Sequence, residues 1–242
     1  MIPAQDVHRA IPSDGSRVAF FGGSFDPPHL GHLAVARAAW AALDLDTVLF
    51  APVGAQPLKP KGSTAGFEDR VAMTRLAIAG EAGFEVSLID APRTGDAPNY
   101  TLETLERLRS ELPGGAELFC LMGADSFFGL RQWHRAAEIP FAATLVVASR
   151  PGQALSDLEA ALPAGLALAD CEDCKKNGHE LRTCRLSDGG GRRALFFLLR
   201  NLHVEISASA IRAQLNAGAL ATGILQPAVR DYIAMHRLYI GA

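Results

Sequence analysis

The stretch FFGGSFDPPHLGH, residues 20–32, joins an apolar run to a segment with helical character. Two adjacent glycines end the run, two prolines stiffen the turn, and His29 and His32 follow three residues apart. Paired glycines let a ligand approach the backbone without a Cβ in the way, and prolines remove N–H groups that would need partners. Residues three apart share a face of a helix. We therefore predict a strand, a tight turn and a helix whose N-terminus binds phosphate through free N–H groups and two imidazoles.

Apolar runs alternate with helical patterns along most of the 242-residue chain. This alternation is typical of βαβ units in a parallel sheet that helices cover on both faces. The predicted strands are RVAFFG, TVLFAPV, FEVSLID, ELFCLMG and TLVVASR, and the predicted helices are LGHLAVARAAWAAL, FEDRVAMTRLAIAG, YTLETLERLRSEL, ISASAIRAQLNAG and PAVRDYIAMHRLY. We predict an α/β fold with a doubly wound parallel sheet, in which ligands bind at the carboxyl ends of the strands.

Composition and charge bound the class of protein. The chain is 49% hydrophobic and 20% charged, which suits one domain with a sizeable core. Its net charge of −3 gives no global case for nucleic acid or an anionic membrane. No apolar run reaches the roughly 18 to 20 residues of a membrane span, and residues 1–16 lack the apolar segment of a secretory signal. We expect a cytoplasmic protein with a flexible N-terminal tail at 1–16 and a single domain at 17–242, which includes a cysteine-rich insertion at about 169–193.

Two common phosphate motifs are missing from the sequence. No G-x-G-x-x-G follows the first strand and no G-x-x-x-x-G-K-[ST] occurs, which disfavours a hydride-transferring Rossmann enzyme and a P-loop kinase. GGSFDPPHLGH resembles instead the signature of the H-x-G-H nucleotidyltransferases, and among them the bacterial nicotinate-nucleotide adenylyltransferase family. Three further stretches, APVGAQPLKP, MGADSFFGLRQW and ISASAIR, follow in the order of that family. The resemblance covers about residues 17–238 without the insertion and implies a Rossmann-like nucleotidyltransferase fold.

The resemblance implies a reaction in NAD biosynthesis. The phosphate of nicotinate mononucleotide would attack the α-phosphorus of ATP and give deamido-NAD and pyrophosphate. A phosphate monoester is already an anionic nucleophile at neutral pH, so neither a general base nor a covalent intermediate is required. Catalysis then consists of aligning two anions and stabilising the charge that develops. Mg²⁺ is implied together with ATP because pyrophosphate leaves with concentrated charge.

The site residues follow from the resemblance, motif by motif. The catalytic residues it implies are His29, His32, Lys59 and Arg212. The ATP site it implies comprises Gly22, Gly23, Ser24, Phe25, His29, His32, Gly123, Asp125, Ile206, Ser207, Ser209 and Arg212. The nicotinate mononucleotide site comprises Lys59, Tyr100, Thr101 and Trp133, where an aromatic ring can stack on the base. Ser24 stands where the family often has threonine, and Ala208 where many relatives have a second serine.

A second candidate site lies in CEDCKKNGHELRTC, residues 171–184. Cys171, Cys174, His179 and Cys184 have the spacing C-x₂-C-x₄-H-x₄-C, which is similar to a zinc knuckle and would form a closed, structural Zn²⁺ site. The alternative is an exposed loop with three free thiols. A knuckle can also bind single-stranded RNA, but this loop has no aromatic residue on which a base could stack. We therefore expect a small zinc-knuckle-like inserted loop in which the metal acts as a staple.

Other functions stay open at this point. Nicotinamide mononucleotide or 4'-phosphopantetheine could be the acceptor, the chain could be a zinc-knuckle RNA-binding protein, or it could retain a nucleotide-binding fold without activity. The intact set of His29, His32, Lys59 and Arg212 argues against the last alternative. The expected partners are ATP and nicotinate mononucleotide, with no membrane; nucleic acid is disfavoured, and a homo-oligomer is left open.

Overall fold

The computed structural model describes residues 14–59, 62–149, 155–202, 206–219 and 221–240. Of the N-terminal tail expected at residues 1–16, residues 1–13 lie outside the described residues. The strands are β1 (Arg17–Gly23), β2 (Thr47–Pro52), β3 (Phe84–Val86), β4 (Glu117–Gly123), β5 (Thr144–Ala148), β6 (Leu166–Lys176), β7 (His179–Asp188) and β8 (Arg193–Arg200). The helices are α1 (Leu30–Ala42), α2 (Phe67–Ala77), α3 (Thr101–Glu111), α4 (Ala124–Phe128), α5 (Ile139–Ala142), α6 (Leu155–Ala161), α7 (Ala208–Asn216) and α8 (Pro227–Met235).

Within the described residues the strands form one sheet with the order β3-β2-β1-β4-β5-β8-β7-β6. The first five strands and β8 pair in parallel, whereas β7 and β6 are added as antiparallel strands. The chain runs outward from β1 to β3 and then crosses back to β4 on the other side of β1. The predicted doubly wound α/β fold is therefore confirmed, and its strand order reverses between β1 and β4, where ligands bind in such folds.

Helices cover both faces of the sheet because the central strands are apolar on both sides. On one face, α3 buries the stripe Leu102, Leu105 and Leu108, which the helical periodicity indicates, against β4 and β5. On the other face, α1 packs its small residues against β1 and β2. A third apolar cluster joins α2, α7 and α8 beside the sheet, and its buried members include Met73 and Ile211. Among the helices the structure describes, none has the length and apolar character needed to cross a bilayer.

The cysteine-rich segment differs from the expected zinc-knuckle-like loop. Cys171 and Cys174 lie on β6, His179 and Cys184 lie on β7, and the two extended strands form a hairpin of the main sheet. The sulfur atoms of Cys171 and Cys184 form a disulfide, while Cys174 is an exposed free thiol. Extended strands spread these side chains along the hairpin, so they do not converge on one point. Of the residues described, no group of three or more His, Cys, Asp or Glu side chains is placed to hold a metal ion, and the structural zinc is not supported.

Candidate active site

A cleft of about 850 Å³ opens at the carboxyl ends of β1 and β4, where the strand order reverses. It brings together predicted residues from five separate stretches of the sequence. The sequence-predicted residues that line it are Gly22, Gly23, Ser24, Phe25, His29, His32, Lys59, Tyr100, Thr101, Gly123, Asp125, Trp133, Ile206, Ser207 and Ser209. Arg212 lies behind this lining, where it donates hydrogen bonds to Ser209 and to Asp26. The motifs that are far apart in the sequence thus meet in one cleft.

The turn between β1 and α1 forms one wall of the cleft. Gly22 and Gly23 lie at the end of β1, and a Cβ at Gly22 would come within 2.6 Å of the Phe20 ring. Phe25 then adopts a left-handed backbone conformation, with φ of 46°, and buries its ring at 5.6 Å from the rings of Phe21 and Phe50. A left-handed conformation is costly for a residue with a bulky side chain, so the ring packing has to hold it there. The outcome is a rigid turn that leads directly into the histidines.

His29 and His32 lie together at the N-terminus of α1. Their rings stack with centroids 3.7 Å apart, and the main-chain N–H of His29 donates a hydrogen bond of 3.1 Å to Nδ1 of His32. Since Nδ1 of His32 accepts a hydrogen bond, a neutral His32 carries its proton on Nε2. Nδ1 of His29 is buried and has no hydrogen-bond partner among the described residues.

Burial keeps both imidazoles neutral. It lowers the pKa of His29 to about 4. Burial, and then the neighbouring His29, hold the pKa of His32 well below its ordinary value. At neutral pH the free cleft therefore offers imidazole N–H donors, and its positive charge has to come from other side chains.

Lys59 lines the cleft, and two further cations, Arg70 and Arg212, lie beside this part of its wall together with the Asp26 carboxylate. The Lys59 ammonium contacts the Ser24 hydroxyl at 3.4 Å, and Arg212 donates to the main-chain oxygen of Asp26 at 2.7 Å. Burial and the Arg212 charge lower the pKa of Lys59, while the Asp26 carboxylate opposes this shift. The third cation, Arg70, is only 2% exposed. The excess of positive charge suits a polyanion.

Arg70 and Asp26 are the residues that the sequence analysis missed at this end. The Arg70 guanidinium donates to the main-chain oxygens of Ser24, Val53 and Ala65, at 2.7, 2.9 and 3.2 Å. It thereby ties the turn after β1 to the end of β2 and to the loop before α2. Its place in FEDRVAMTRL, as one charged residue in a helix, carries no sequence signal for that role.

The opposite end of the cleft is aromatic. Tyr100, the residue before α3, packs against His134 with ring centroids 4.4 Å apart and the ring planes tilted by 34°. Trp133 lines the cleft and also packs against the apolar core. Asn99, another residue that the sequence analysis missed, accepts the N–H of Ala55 and donates to the oxygen of Ala91. These contacts fix the loops that carry the aromatic rings.

The remaining predicted residues lie between the two ends. Gly123 ends β4 and Asp125 is the second residue of α4, and both line the cleft. Ser207 is the N-cap of α7, and Ser209 lies in its first turn, so the free N–H groups of a nine-residue helix meet the cleft beside Arg212. Such a helix N-terminus favours an anion.

The comparisons with known proteins agree with this geometry. The family model described as Cytidylyltransferase-like matches residues 20–214. A protein of Laribacter hongkongensis named "Probable nicotinate-nucleotide adenylyltransferase" is 40% identical over 222 residues, which is 92% of this chain and 94% of the relative. A protein of Gloeobacter violaceus with the same name is 38% identical and covers 93% of this chain and 97% of the relative.

A solved structure shows the same fold. The nicotinic acid mononucleotide adenylyltransferase of Plasmodium falciparum, solved in complex with NaAD, superposes with a TM-score of 0.65 at 15% identity, over 93% of this chain and 97% of that chain. The resemblance inferred from the four motifs is confirmed. The chain therefore belongs to the cytidylyltransferase-like family and, within it, to the group of relatives named as nicotinate-nucleotide adenylyltransferases.

Proposed function

We propose that this protein transfers the adenylyl group of ATP to the phosphate of nicotinate mononucleotide, producing deamido-NAD and pyrophosphate. The observation that carries the proposal is the cleft at the strand-order reversal, which has imidazole, ammonium and hydroxyl groups at one end and aromatic rings at the other. The names of the relatives, at 38% and 40% identity over more than nine tenths of the chain, support the same reaction.

The cationic end is assigned to ATP. Nε2–H of His32 would donate to a non-bridging oxygen of the α-phosphate, where charge develops as the nucleophile attacks. Lys59 would neutralise phosphate charge between the two substrates. Arg212, together with Ser207 and Ser209 at the start of α7, would hold the β- and γ-phosphates, which leave as pyrophosphate.

The adenosine half is assigned to the backbone around the turn and to the mouth of the cleft. The glycines of β1 would let the backbone meet the nucleotide closely. The Asp125 carboxylate would accept from a ribose hydroxyl. The residues assigned to ATP are Gly22, Gly23, Ser24, Phe25, His29, His32, Gly123, Asp125, Ile206, Ser207, Ser209 and Arg212.

The aromatic end is assigned to the pyridine ring. Trp133 and Tyr100 supply ring faces on which nicotinate can stack. The N-terminus of α3, which begins at Thr101, offers free N–H groups for its carboxylate. This arrangement favours an acid over an amide, because the N–H groups donate and an amide nitrogen cannot accept.

Mg²⁺ enters as part of the substrate. The side chains around the phosphates are imidazoles, an ammonium, guanidinium groups and hydroxyls, and the Asp26 oxygens already accept hydrogen bonds. Such a donor set fits a metal that the triphosphate oxygens and water hold, rather than a cage of protein carboxylates. The bound metal would neutralise charge on the leaving pyrophosphate.

The test is product formation with several acceptors in parallel. The protein is incubated with ATP, Mg²⁺ and one acceptor at a time: nicotinate mononucleotide, nicotinamide mononucleotide or 4'-phosphopantetheine. Pyrophosphate is assayed, and the adenylylated product is identified by mass spectrometry. We expect deamido-NAD and pyrophosphate in equal amounts, and no adenylylated protein with ATP alone. The absence of product from nicotinate mononucleotide, whether or not another acceptor reacts, would refute the proposal.

A further inference from the structure

Asp26, in the turn between β1 and α1, is a junction of distant segments. The residue is buried, with 3% of its surface exposed. One carboxylate oxygen accepts the main-chain N–H of Thr64 at 2.7 Å, and the other accepts the N–H of Ala65 at 3.0 Å and the hydroxyl of Tyr239 at 2.8 Å. The carboxylate therefore joins the phosphate-binding turn both to the loop before α2 and to the end of the chain.

The same residue also holds Arg212. Nη1 of Arg212 donates to the main-chain oxygen of Asp26 at 2.7 Å and lies 3.9 Å from its carboxylate. A displacement of Asp26 would thus move the acceptor that orients this guanidinium. The contacts that hold Asp26 in place therefore also help to set the position of the Arg212 guanidinium.

Tyr239 reaches Asp26 from the segment after α8. Its ring is 5% exposed and belongs to the apolar cluster of α2, α7 and α8. Burial, and then the Asp26 charge, raise the pKa of Tyr239, so that its hydroxyl is a proton donor throughout the neutral range. The apolar ring anchors the segment, and the hydroxyl acts on the carboxylate.

We infer that Tyr239 is a positioning residue for the triphosphate end of the cleft: its hydroxyl fixes Asp26 and, through Asp26, orients Arg212 toward ATP. The inference rests on the proposed function for the identity of the ligand. No role in the cleft follows from the sequence position of Tyr239, which lies 213 residues from Asp26.

The substitution Tyr239→Phe tests this, because it keeps the buried ring and removes only the hydroxyl. Tyr232→Phe is a matched control: the Tyr232 hydroxyl, on α8, also donates to a carboxylate, but to that of Asp69 on α2, at 3.0 Å, rather than to Asp26. Binding of Mg-ATP is measured by calorimetry without an acceptor, together with steady-state kinetics. We expect Tyr239→Phe to raise the Kd and KM for ATP roughly tenfold, the scale of a hydrogen bond to a charged group, with the KM for the acceptor unchanged.

The control and a double variant decide whether the effect is local. Tyr232→Phe should leave the Kd for ATP at the wild-type value, and in an Arg212→Ala background Tyr239→Phe should add less than about twofold, since the path runs through Arg212. Wild-type ATP affinity in Tyr239→Phe, an equal loss in Tyr232→Phe, or full additivity with Arg212→Ala would each overturn the inference. A wild-type protein that binds ATP but forms no deamido-NAD would refute the proposed function, and the binding comparison would still decide this inference.

The cysteine hairpin carries a second, independent inference. The disulfide joins Cys171, exposed on the edge strand β6, to Cys184, which is fully buried on β7. Cys171 lies at a shift in strand register, where two residues of β6 oppose one residue of β7. Cys171 is therefore the solvent-exposed residue of the disulfide, and Cys184 is the buried one.

The geometry points to a thiol–disulfide exchange site at Cys171 for low-molecular-weight thiols such as glutathione. A glutathione thiolate attacks Sγ of Cys171, the bond to Cys184 breaks, and the electron pair leaves with Sγ of Cys184, which takes up a proton. A second glutathione attacks the mixed disulfide at the glutathione sulfur, releasing the Cys171 thiol and glutathione disulfide. The balance is two glutathione molecules oxidised for one protein disulfide reduced, and glutathione disulfide drives the reverse.

The test equilibrates the folded protein with a series of ratios of reduced to oxidised glutathione. After acid quenching, denaturation and alkylation, mass spectrometry gives the thiol fraction at each cysteine. We expect Cys171 and Cys184 to change together from disulfide to thiol across the series, while the buried Cys120 stays a thiol and serves as the internal reference. The variant Cys174→Ser should give the same curve. The inference would be overturned if the disulfide stays intact at the highest concentration of reduced glutathione, or if the two thiols do not re-form it in glutathione disulfide.

Discussion

At the residue scale, the site depends on what burial does to two histidines. His29 and His32 stack in a cleft where burial lowers the pKa of both, so the free protein presents neutral rings. A neutral imidazole is a fixed donor that needs no proton from solvent when charge develops on a phosphate oxygen. The hydrogen bond from the His29 main chain to Nδ1 of His32 selects the tautomer with Nε2–H.

Removal of that donor should slow the chemical step. We expect His32→Ala to lower kcat by about 100-fold or more, with a smaller change in the KM for the acceptor, as for the loss of one preorganised donor. His236→Ala is the control, because His236 stacks on Tyr232 and lies outside the cleft lining. Both kinetic constants are measured on protein shown to be folded by circular dichroism. A near-normal kcat in His32→Ala would refute the assigned role.

The lowered pKa values also predict how stability depends on pH. A histidine whose pKa is about 4 in the folded protein and about 6.5 in the unfolded chain binds its proton more readily when unfolded. The stability that neutral His29 contributes is therefore complete above pH 6.5 and is lost as the pH falls toward 4. We expect unfolding free energy to fall over this window, and His29→Gln to reduce the fall by on the order of 3 kcal/mol. Denaturant titrations at pH 7.5 and 4.5 measure it; an unchanged fall in the variant would contradict the account.

Single residues could be assigned from the sequence only where a local motif marked them. The turn at residues 20–32 identifies His29 and His32 because the strand, glycines, prolines and helix are contiguous. Asp26 lies in the same turn, yet its importance comes from Thr64, Ala65 and Tyr239, which only the folded chain brings near. No local pattern encodes such contacts.

At the element scale, the hydrophobic pattern predicted β1 to β5, but it was not used to predict β8 or the β6–β7 hairpin. The strand β6 is exposed along almost all of its length, so it lacks the apolar alternation that marks a half-buried strand. A local signal did exist: Asn177 and Gly178 both have positive φ, 49° and 84°, as in a two-residue hairpin turn. The metal-like spacing of the cysteines directed the interpretation toward a zinc knuckle instead.

The loops that follow β2 and β3 contact each other most closely at Gly54, where we expect no side chain to be tolerated. A Cβ at Gly54 would lie 2.5 Å from the main-chain nitrogen of Pro92, and the Gly54 N–H already donates to the oxygen of Asp90 at 2.7 Å. We expect Gly54→Ala to lower the free energy of unfolding by about 2 kcal/mol and the Tm by about 5 °C, because backbone must move. Gly114→Ala is the control, since a Cβ there meets nothing within 4 Å. Thermal unfolding of the two variants tests this; equal midpoints would contradict it.

At the scale of the whole molecule, the sheet topology brings the residues of the cleft together. The reversal of strand order between β1 and β4 leaves a crevice whose walls come from stretches more than a hundred residues apart in the chain. The net charge of the chain is −3, so overall charge does not attract ATP, and Lys59, Arg70 and Arg212 have to supply the positive potential locally. The fold brings these cations together at one end and the aromatic rings at the other.

The most direct test of this account is a competition between two acceptors that differ only at the pyridine substituent. Nicotinate mononucleotide and nicotinamide mononucleotide are mixed at equal concentration with protein and Mg-ATP, and the initial ratio of deamido-NAD to NAD gives the ratio of the two kcat/KM values. The account predicts a ratio of at least about 100 in favour of the acid, because N–H donors at the start of α3 pair with a carboxylate and not with an amide nitrogen. A ratio near one, or a preference for the amide, would contradict the assignment of the acceptor.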